Sequence, residues 1–281
     1  MTCVTYIKNL DDQKISIYRS LKGKGLGKNG LFIAEGDKVI QELLKSNLRV
    51  VSALMTEEWL KRFQRQLNEK AEQEKGIHVY IMAQKKMERV VGFNLHQGIM
   101  MAAESPPKLS LEQVSRFWNS PHLLLAINGI KDSENIGVIV RNSVAFGVDT
   151  IIVDKNSCVP YTRRAVRVSM GTIFRLPVAY TDCLSATLRL LKGRFNTRII
   201  AAAPGTKYQI LSKVDLSGNI CLVFGSEEHG LSDDVIKSAN STVRIPMYAG
   251  LDSLNVSCAS AIFLYHVRTK GGSLGNKDHS Q

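Results

Sequence analysis

Apolar positions recur along this chain with two spacings, about every second residue in some stretches and about every third or fourth in others, which predicts strands interleaved with amphipathic helices. Val50 to Met55 is a short apolar run that reads as a strand. Thr56 to Lys75 follows, with Leu60, Phe63, Leu67 and Ala71 on one helical face. Ile77 to Met82 is strand-like, a short helix carries Met87, Val90 and Val91, and Gly98 to Ala103 is a further strand. Gly36 to Ser46, ahead of all these, reads as a helix, so the first part of the chain is a small α/β unit ending near Ala103.

Glu104 to Asn119 interrupts the pattern: Pro106 and Pro107 can continue neither a ladder nor a helix. The expected organisation is an amino-terminal domain over 1–105, a linker over 106–120, a second domain over 121–270 and a small, polar, frayed tail over 271–281. The second domain opens as a βαβ unit, with strands His122 to Ile130 and Asp149 to Asp154 and a helix Glu134 to Phe146 closed by Gly147. Helices at Thr181 to Lys192, Ser232 to Ala239 and Asp252 to Thr269 then alternate with strands at Arg198 to Ala203, Ile220 to Phe224 and Thr242 to Met247. Such alternation predicts the α/β class, a mostly parallel sheet with helices on both faces, and ligands of such sheets bind at the carboxyl ends of the strands.

Composition sharpens the kind of ligand. In 281 residues with ordinary apolar content, the informative figure is a formal net charge of +12, which favours an anionic partner. The charge is clustered: Lys8, Lys14, Arg19, Lys22, Lys24 and Lys28 face only Asp11 and Asp12 within the first thirty residues, and Arg163, Arg164, Arg167 and Arg175 have no acid between them. Clusters of this kind suit phosphates, although a solvated surface produces them too. Five cysteines without C-x-x-C spacing argue against a disulfide framework or a zinc knuckle, and most are expected to be small buried residues. The six histidines are dispersed, which gives a metal site no support. No apolar run approaches the ~18 residues of a membrane span, and the amino terminus lacks the apolar core of a signal peptide, so a cytoplasmic location is expected.

Three strand-to-helix junctions carry candidate chemistry. In the first, Asn135 stands at a helix start and Arg141 lies on the same face as Gly137; amid Val138, Ile139, Val140 and Val144 an arginine is costly to bury unpaired, and its guanidinium suits phosphate. In the second, Gly225 and Gly230 bracket Glu227, Glu228 and His229; glycine there permits close approach to a ligand, or only a tight surface turn. In the third, Ile245-Pro-Met leads through Gly250, which permits a turn, to Asp252 or Ser253 as a helix cap, with Leu254 following and Asn255 in the first turn. Alone, this is a well-capped helix. The glycine fingerprint of dinucleotide-binding folds, the phosphate-binding loop of nucleoside triphosphatases and the G-x-S-x-G of hydrolases are all absent.

Together these segments resemble the SpoU (TrmH-like) family of RNA ribose 2′-O-methyltransferases in the SPOUT class. The matching residues are Asn135, Gly137 and Arg141; Gly225, Glu227 and Gly230; and Ile245, Pro246, Met247, Ser253, Leu254, Asn255 and Val256. Arg167-Val-Ser-Met-Gly171 and Leu176-Pro-Val178 fit a further family segment, whereas Asp132-Ser133-Glu134 and Asn142 depart from the family's usual Asp-Pro and Thr or Ser. Phe32-Ile-Ala-Glu35-Gly36 and His96-Gln97-Gly98-Ile99 resemble the L30e-like substrate-binding domain that precedes this catalytic domain in many members.

The resemblance implies a trefoil-knotted carboxyl-terminal domain, a homodimer, and S-adenosylmethionine as cofactor, held around Gly225, Ile245 and Leu254. It implies Arg141 as the essential residue, with Glu227, Asn255 and Asn135 in the catalytic set and Arg163, Arg164 and Arg167 on RNA phosphates. The implied substrate is a ribose 2′-hydroxyl in ribosomal RNA of the 23S type, ahead of tRNA. A guanidinium, whose proton is held very tightly, orients a phosphate or hydroxyl more easily than it removes a proton. The competing expectation is a non-catalytic RNA-binding or ribosome-assembly factor that kept the fold, against which the set Arg141, Glu227 and Asn255 speaks.

Overall fold

The computed structural model describes residues 2–19, 30–74, 76–248 and 253–270. Lys22, Lys24, Lys28, Gly250, Asp252 and the tail 271–281 lie outside the described residues. Described residues within 1–107 and 159–175 form one compact unit, and those within 108–158 and 176–281 another.

The first unit is built on a five-stranded sheet, β1 (Thr2–Tyr6), β2 (Leu31–Glu35), β3 (Val50–Met55), β4 (Ile77–Ile81) and β5 (Ile99–Glu104), in the order β1-β4-β3-β5-β2. Strands β1, β4 and β3 run parallel, while β5 is antiparallel to β3 and β2. Helices α1 (Asp37–Lys45), α2 (Glu57–Gln73) and α3 (Gln84–Val91) cover it. Each turns its apolar positions inward, as Val39, Ile40 and Leu43 on α1 and Phe63 and Leu67 on α2 show. Gly92 ends α3 in the left-handed conformation that a helix stop requires.

The second unit is a seven-stranded, all-parallel sheet in the order β10-β12-β9-β11-β6-β7-β8. After a short helix α4 (Leu111–Val114), β6 (Leu123–Asn128), α5 (Ser133–Ala145) and β7 (Thr150–Asp154) form its centre. A helix α6 (Arg163–Val168) belongs to the first unit; the chain then returns through β8 (Val178–Thr181), α7 (Leu184–Phe195), β9 (Arg198–Ala202), β10 (Gln209–Ile210), β11 (Ile220–Gly225), α8 (Asp233–Ser238), β12 (Ser241–Arg244) and α9 (Val256–Lys270). Strands β6, β7 and β11 are buried along nearly their whole length, as continuous apolar runs in a two-sided parallel sheet must be. Helices α5 and α9 pack together on one face, where Phe263 of α9 meets Phe224 of β11 edge-on at 5.5 Å.

Several expectations change. Segment 159–175 lies inside the span assigned to the second domain, yet it packs on the first unit: Tyr161 and Phe174 contact Phe32 at ring centroid distances of 5.3 and 5.5 Å. Strand β12 ends at Arg244 instead of Met247, because Pro246 has no N–H to extend the ladder. Helix α9 starts at Val256, and Asn255 is its cap rather than part of its first turn, accepting from Ser257 N at 2.9 Å and Cys258 N at 3.4 Å. Of the cysteines only Cys221, in the middle of β11, is buried; Cys3, Cys183 and Cys258 are exposed because they fall on an edge strand and at two helix starts.

Candidate active site

The site of the second unit is assembled from the ends of its strands. Strand β11 stops at Gly225, and the next residues fold into a tight loop closed by two backbone hydrogen bonds, Ser226 N to Gly230 O at 3.1 Å and Gly230 N to Ser226 O at 2.9 Å. Gly230 takes φ +64°. A Cβ at Gly225 would overlap the Gly230 carbonyl and lie 2.5 Å from Leu231 N, so this glycine is required by the loop's own backbone even before any ligand is considered.

A cavity of about 410 Å³ opens at this loop and is bounded by the carboxyl ends of β9, β11 and β12 and by the start of α9. Gly225, Ile245 and Leu254, the expected cofactor residues, all line it, as does Glu227. Its floor is apolar, from Val243, Phe224 and Phe263, and its rim is polar. Arg244, the last residue of β12, also lines it, and its Nε is buried without a hydrogen-bond partner among the described residues. Sequence reasoning passed over Arg244; the available signal was an arginine closing an apolar strand directly before Ile-Pro-Met.

Beside the cavity, three residues from three junctions join into one chain. Asn135, buried in the first turn of α5, donates from Nδ2 to Glu227 Oε1 and accepts at Oδ1 from Asn255 Nδ2 at 3.0 Å. Asn255 thus spends its carbonyl on capping α9 and its amide on Asn135, so the trio ties the ends of β6, β11 and β12 to one another. Asn142, the departure from the family pattern, reaches across from α5 to Ser257 O and Ser260 Oγ, both at 3.0 Å. Asp132 caps α5 by accepting from Glu134 N at 2.8 Å, which supplies the helix start without the family's proline. Arg141 is exposed on α5 and makes no hydrogen bond or ion pair with the described residues; neither Glu227 nor Asn255 is bonded to it.

The three arginines expected to hold RNA phosphates belong to the first unit. Arg163 pairs with Glu35 Oε2 at 2.5 Å and lies over the Phe93 ring at 4.1 Å, while Arg167 sits 3.9 Å from Glu35 Oε1. Glu35 is only 3% exposed, so it needs these partners, and Arg163 is committed to it. The acid missing from the arginine cluster comes from 128 residues away in the chain. Arg164 is exposed.

Fold and cavity define the class: an α/β protein that takes a small ligand where parallel strands end, with a polar residue trio beside it. Residues 122–265 match the SpoU rRNA Methylase family, and residues 33–109 match the RNA 2′-O ribose methyltransferase substrate binding family. The chain belongs to the SpoU rRNA methylase family. It is 32% identical over 247 residues to an uncharacterized tRNA/rRNA methyltransferase of Mycobacterium bovis, covering 86% of this chain and 82% of that one. It is 30% identical over 192 residues to the 23S rRNA (guanosine-2′-O-)-methyltransferase RlmB of Acinetobacter baylyi, covering 68% of this chain and 77% of that protein. The fold is shared with an AdoMet-bound rRNA methyltransferase from Sinorhizobium meliloti, with a TM-score of 0.79 at 21% identity over 95% of this chain and 98% of the other. The SpoU methyltransferase AviRb from Streptomyces viridochromogenes, also with AdoMet, gives 0.78 at 20% identity over 93% and 99%.

Proposed function

We propose that this protein transfers a methyl group from S-adenosylmethionine to a ribose 2′-hydroxyl of ribosomal RNA, in the cytoplasm and as a homodimer. The observation that carries the reading is one cavity at the strand ends that gathers Gly225, Glu227, Ile245 and Leu254, with Asn135 and Asn255 bonded to Glu227 in series.

The cavity suits the cofactor: its volume of about 410 Å³ lies in the range of roughly 300–1,000 Å³ usual for small-molecule sites. Its apolar floor can take an adenine ring, and the unpartnered Nε of Arg244 offers a donor to a carboxylate. Bound there, S-adenosylmethionine supplies a methyl group on a sulfonium, open to in-line attack by oxygen. The chain's own contribution is placement. The Glu227–Asn135–Asn255 series fixes the three loops around the cavity, and Arg141, exposed on the helix that carries Asn135, orients the ribose and its adjacent phosphate. The net charge of +12 supports RNA as the partner, and the 23S rRNA assignment of the Acinetobacter relative favours ribosomal RNA over tRNA. Exposed Ile262 and Tyr265 on α9 supply an apolar face for a second copy.

Arg141→Ala tests the division of labour. Methyl transfer to unmodified ribosomal RNA should be lost, while calorimetric affinity for S-adenosylmethionine stays within a few-fold. A wild-type chain that binds neither the cofactor nor its demethylated product would instead point to a non-catalytic RNA-binding factor.

A further inference from the structure

A second cavity, of about 350 Å³, lies wholly within the first unit, away from the cofactor cavity in the chain and built by other residues. Glu35, Lys38, His96, Gln97, Arg167 and Met170 are among those that line it. None of these six is needed for the methyl-transfer geometry described above.

Its construction is specific. Gly36 adopts φ +93° and ψ 151°, a conformation closed to other residues, and starts α1 so that Asp37 N donates to Gln97 Oε1 at 2.6 Å. That bond fixes the Gln97 amide through its carbonyl oxygen, and its Nε2 has no partner among the described residues. Asp37 is held in turn by Arg62 at 2.7 Å and Gln41 at 2.8 Å. A Cβ on Gly98 would fall 2.6 Å from Thr56 Cγ2, so Thr56 would have to shift to admit one. Met170, which also lines the cavity, holds φ +56°, a left-handed conformation that residues other than glycine rarely take, and the adjoining Gly171 packs so closely on Glu42 that a Cβ would lie 2.9 Å from its Cβ. A residue held in strain with its side chain lining a cavity is an observation that points to use.

We propose that this cavity receives one unstacked nucleotide of the RNA substrate. Met170 supplies a polarizable apolar wall against the base, the free Gln97 amide donates to a base acceptor, and Lys38 and Arg167 meet the phosphates on either side. Glu35, paired with Arg163 and loosely faced by Arg167, holds the Arg167 guanidinium beside the opening. The size fits one nucleotide and excludes duplex, so the recognised element is a loop or bulge. This deepens the substrate reading given above and rests on it for the identity of the partner as RNA.

The test uses the full chain and an unmodified 23S ribosomal RNA transcript, with binding measured by filter retention over a salt series, apart from methyl transfer. Gln97→Ala should weaken binding about tenfold without changing the salt dependence, because a neutral donor releases no counterion. Arg167→Gln should weaken binding and lower the slope of log affinity against log salt by about one. Met170→Gly should leave thermal stability unchanged or raised, since glycine relieves the backbone, and still weaken binding several-fold. Arg65→Gln, on the exposed face of α2 and paired with Glu69, serves as a charge control and should leave both affinity and slope close to wild type. If the folded Gln97 and Met170 variants bind the transcript as tightly as wild type, the cavity holds no nucleotide and the proposal fails. If all variants behave as expected but no methyl transfer is seen from wild type, it is the catalytic reading that falls.

Discussion

Replacing Gly225 with alanine separates two reasons for a glycine at the end of β11. If glycine only lets a cofactor approach, Gly225→Ala leaves the apo protein as stable as before and weakens cofactor binding. The structure gives a different reason: the added methyl overlaps the Gly230 carbonyl and approaches Leu231 N to 2.5 Å, so backbone must move. Overpacking of this kind costs about 1–3 kcal/mol. Displacing Gly230 also strains the two hydrogen bonds that close the loop, each contributing about 0.5–1.5 kcal/mol. The sum is about 2–6 kcal/mol; a central value of about 4 corresponds to a fall of roughly 8–16 °C in the unfolding midpoint of a unit of this size. Scanning calorimetry of the ligand-free protein reads this directly, with circular dichroism to confirm that the variant folds. A ligand-free midpoint equal to wild type, together with weakened S-adenosylmethionine binding, would refute the packing argument and restore ligand approach as the reason for the glycine.

Other changes act at single sites. Arg163→Ala leaves the buried Glu35 with only a distant Arg167 among the described residues, and losing one partner of a buried pair predicts about 3 kcal/mol of destabilisation, read by urea unfolding; a change confined to the salt dependence of RNA binding would show that Arg163 serves phosphate instead. His122 is 7% exposed and bonded to Thr197 at 2.7 Å, and burial holds its pKa below the ordinary histidine value, with Asp149 opposing the shift. The folded state therefore binds fewer protons than the unfolded one just below the ordinary value: the stabilisation is full above about pH 6.5 and is lost as pH falls through the depressed pKa. His122→Gln should show a smaller drop in melting temperature than wild type on acidification from about pH 7 to about pH 5; an equal drop would assign the acid sensitivity to other groups.

Deleting the amino-terminal unit is not a clean experiment on substrate binding. Tyr161, Ile173 and Phe174 reside in segment 159–175 and pack on the first unit, as the contacts of Phe32 with Tyr161 and Phe174 show. Removing residues 1–107 would strip that segment of its apolar partners. Point changes in the second cavity are the better probe.

Local pattern made α5, α2 and the buried strands β6, β7 and β11 legible, because helical spacing and long apolar runs are written in neighbouring residues. It missed the edge strands β1, β2, β8 and β10: β1 is exposed and its sheet partner among the described residues, β4, comes some seventy residues later, β2 and β8 are short, and β10 has two residues. The candidate site was legible as three separate motifs. Which atoms meet was not, since the Asn255 amide could equally have faced solvent; only the closure of three loops onto one another directs it to Asn135.

By itself, then, the sequence determined the α/β class, the family resemblance and some of the residues gathered at the strand-end cavity, Gly225, Glu227, Ile245 and Leu254 among them. Tertiary structure alone decided that Arg163 answers a buried Glu35, that Asn255 caps α9 while bracing Asn135, that Arg244 enters the cavity, and that segment 159–175 serves the first unit. The division has one physical cause. Backbone periodicity is set by neighbours a few residues apart, whereas the partner of a charge or an amide is set by which distant segments the folded chain brings within hydrogen-bonding reach.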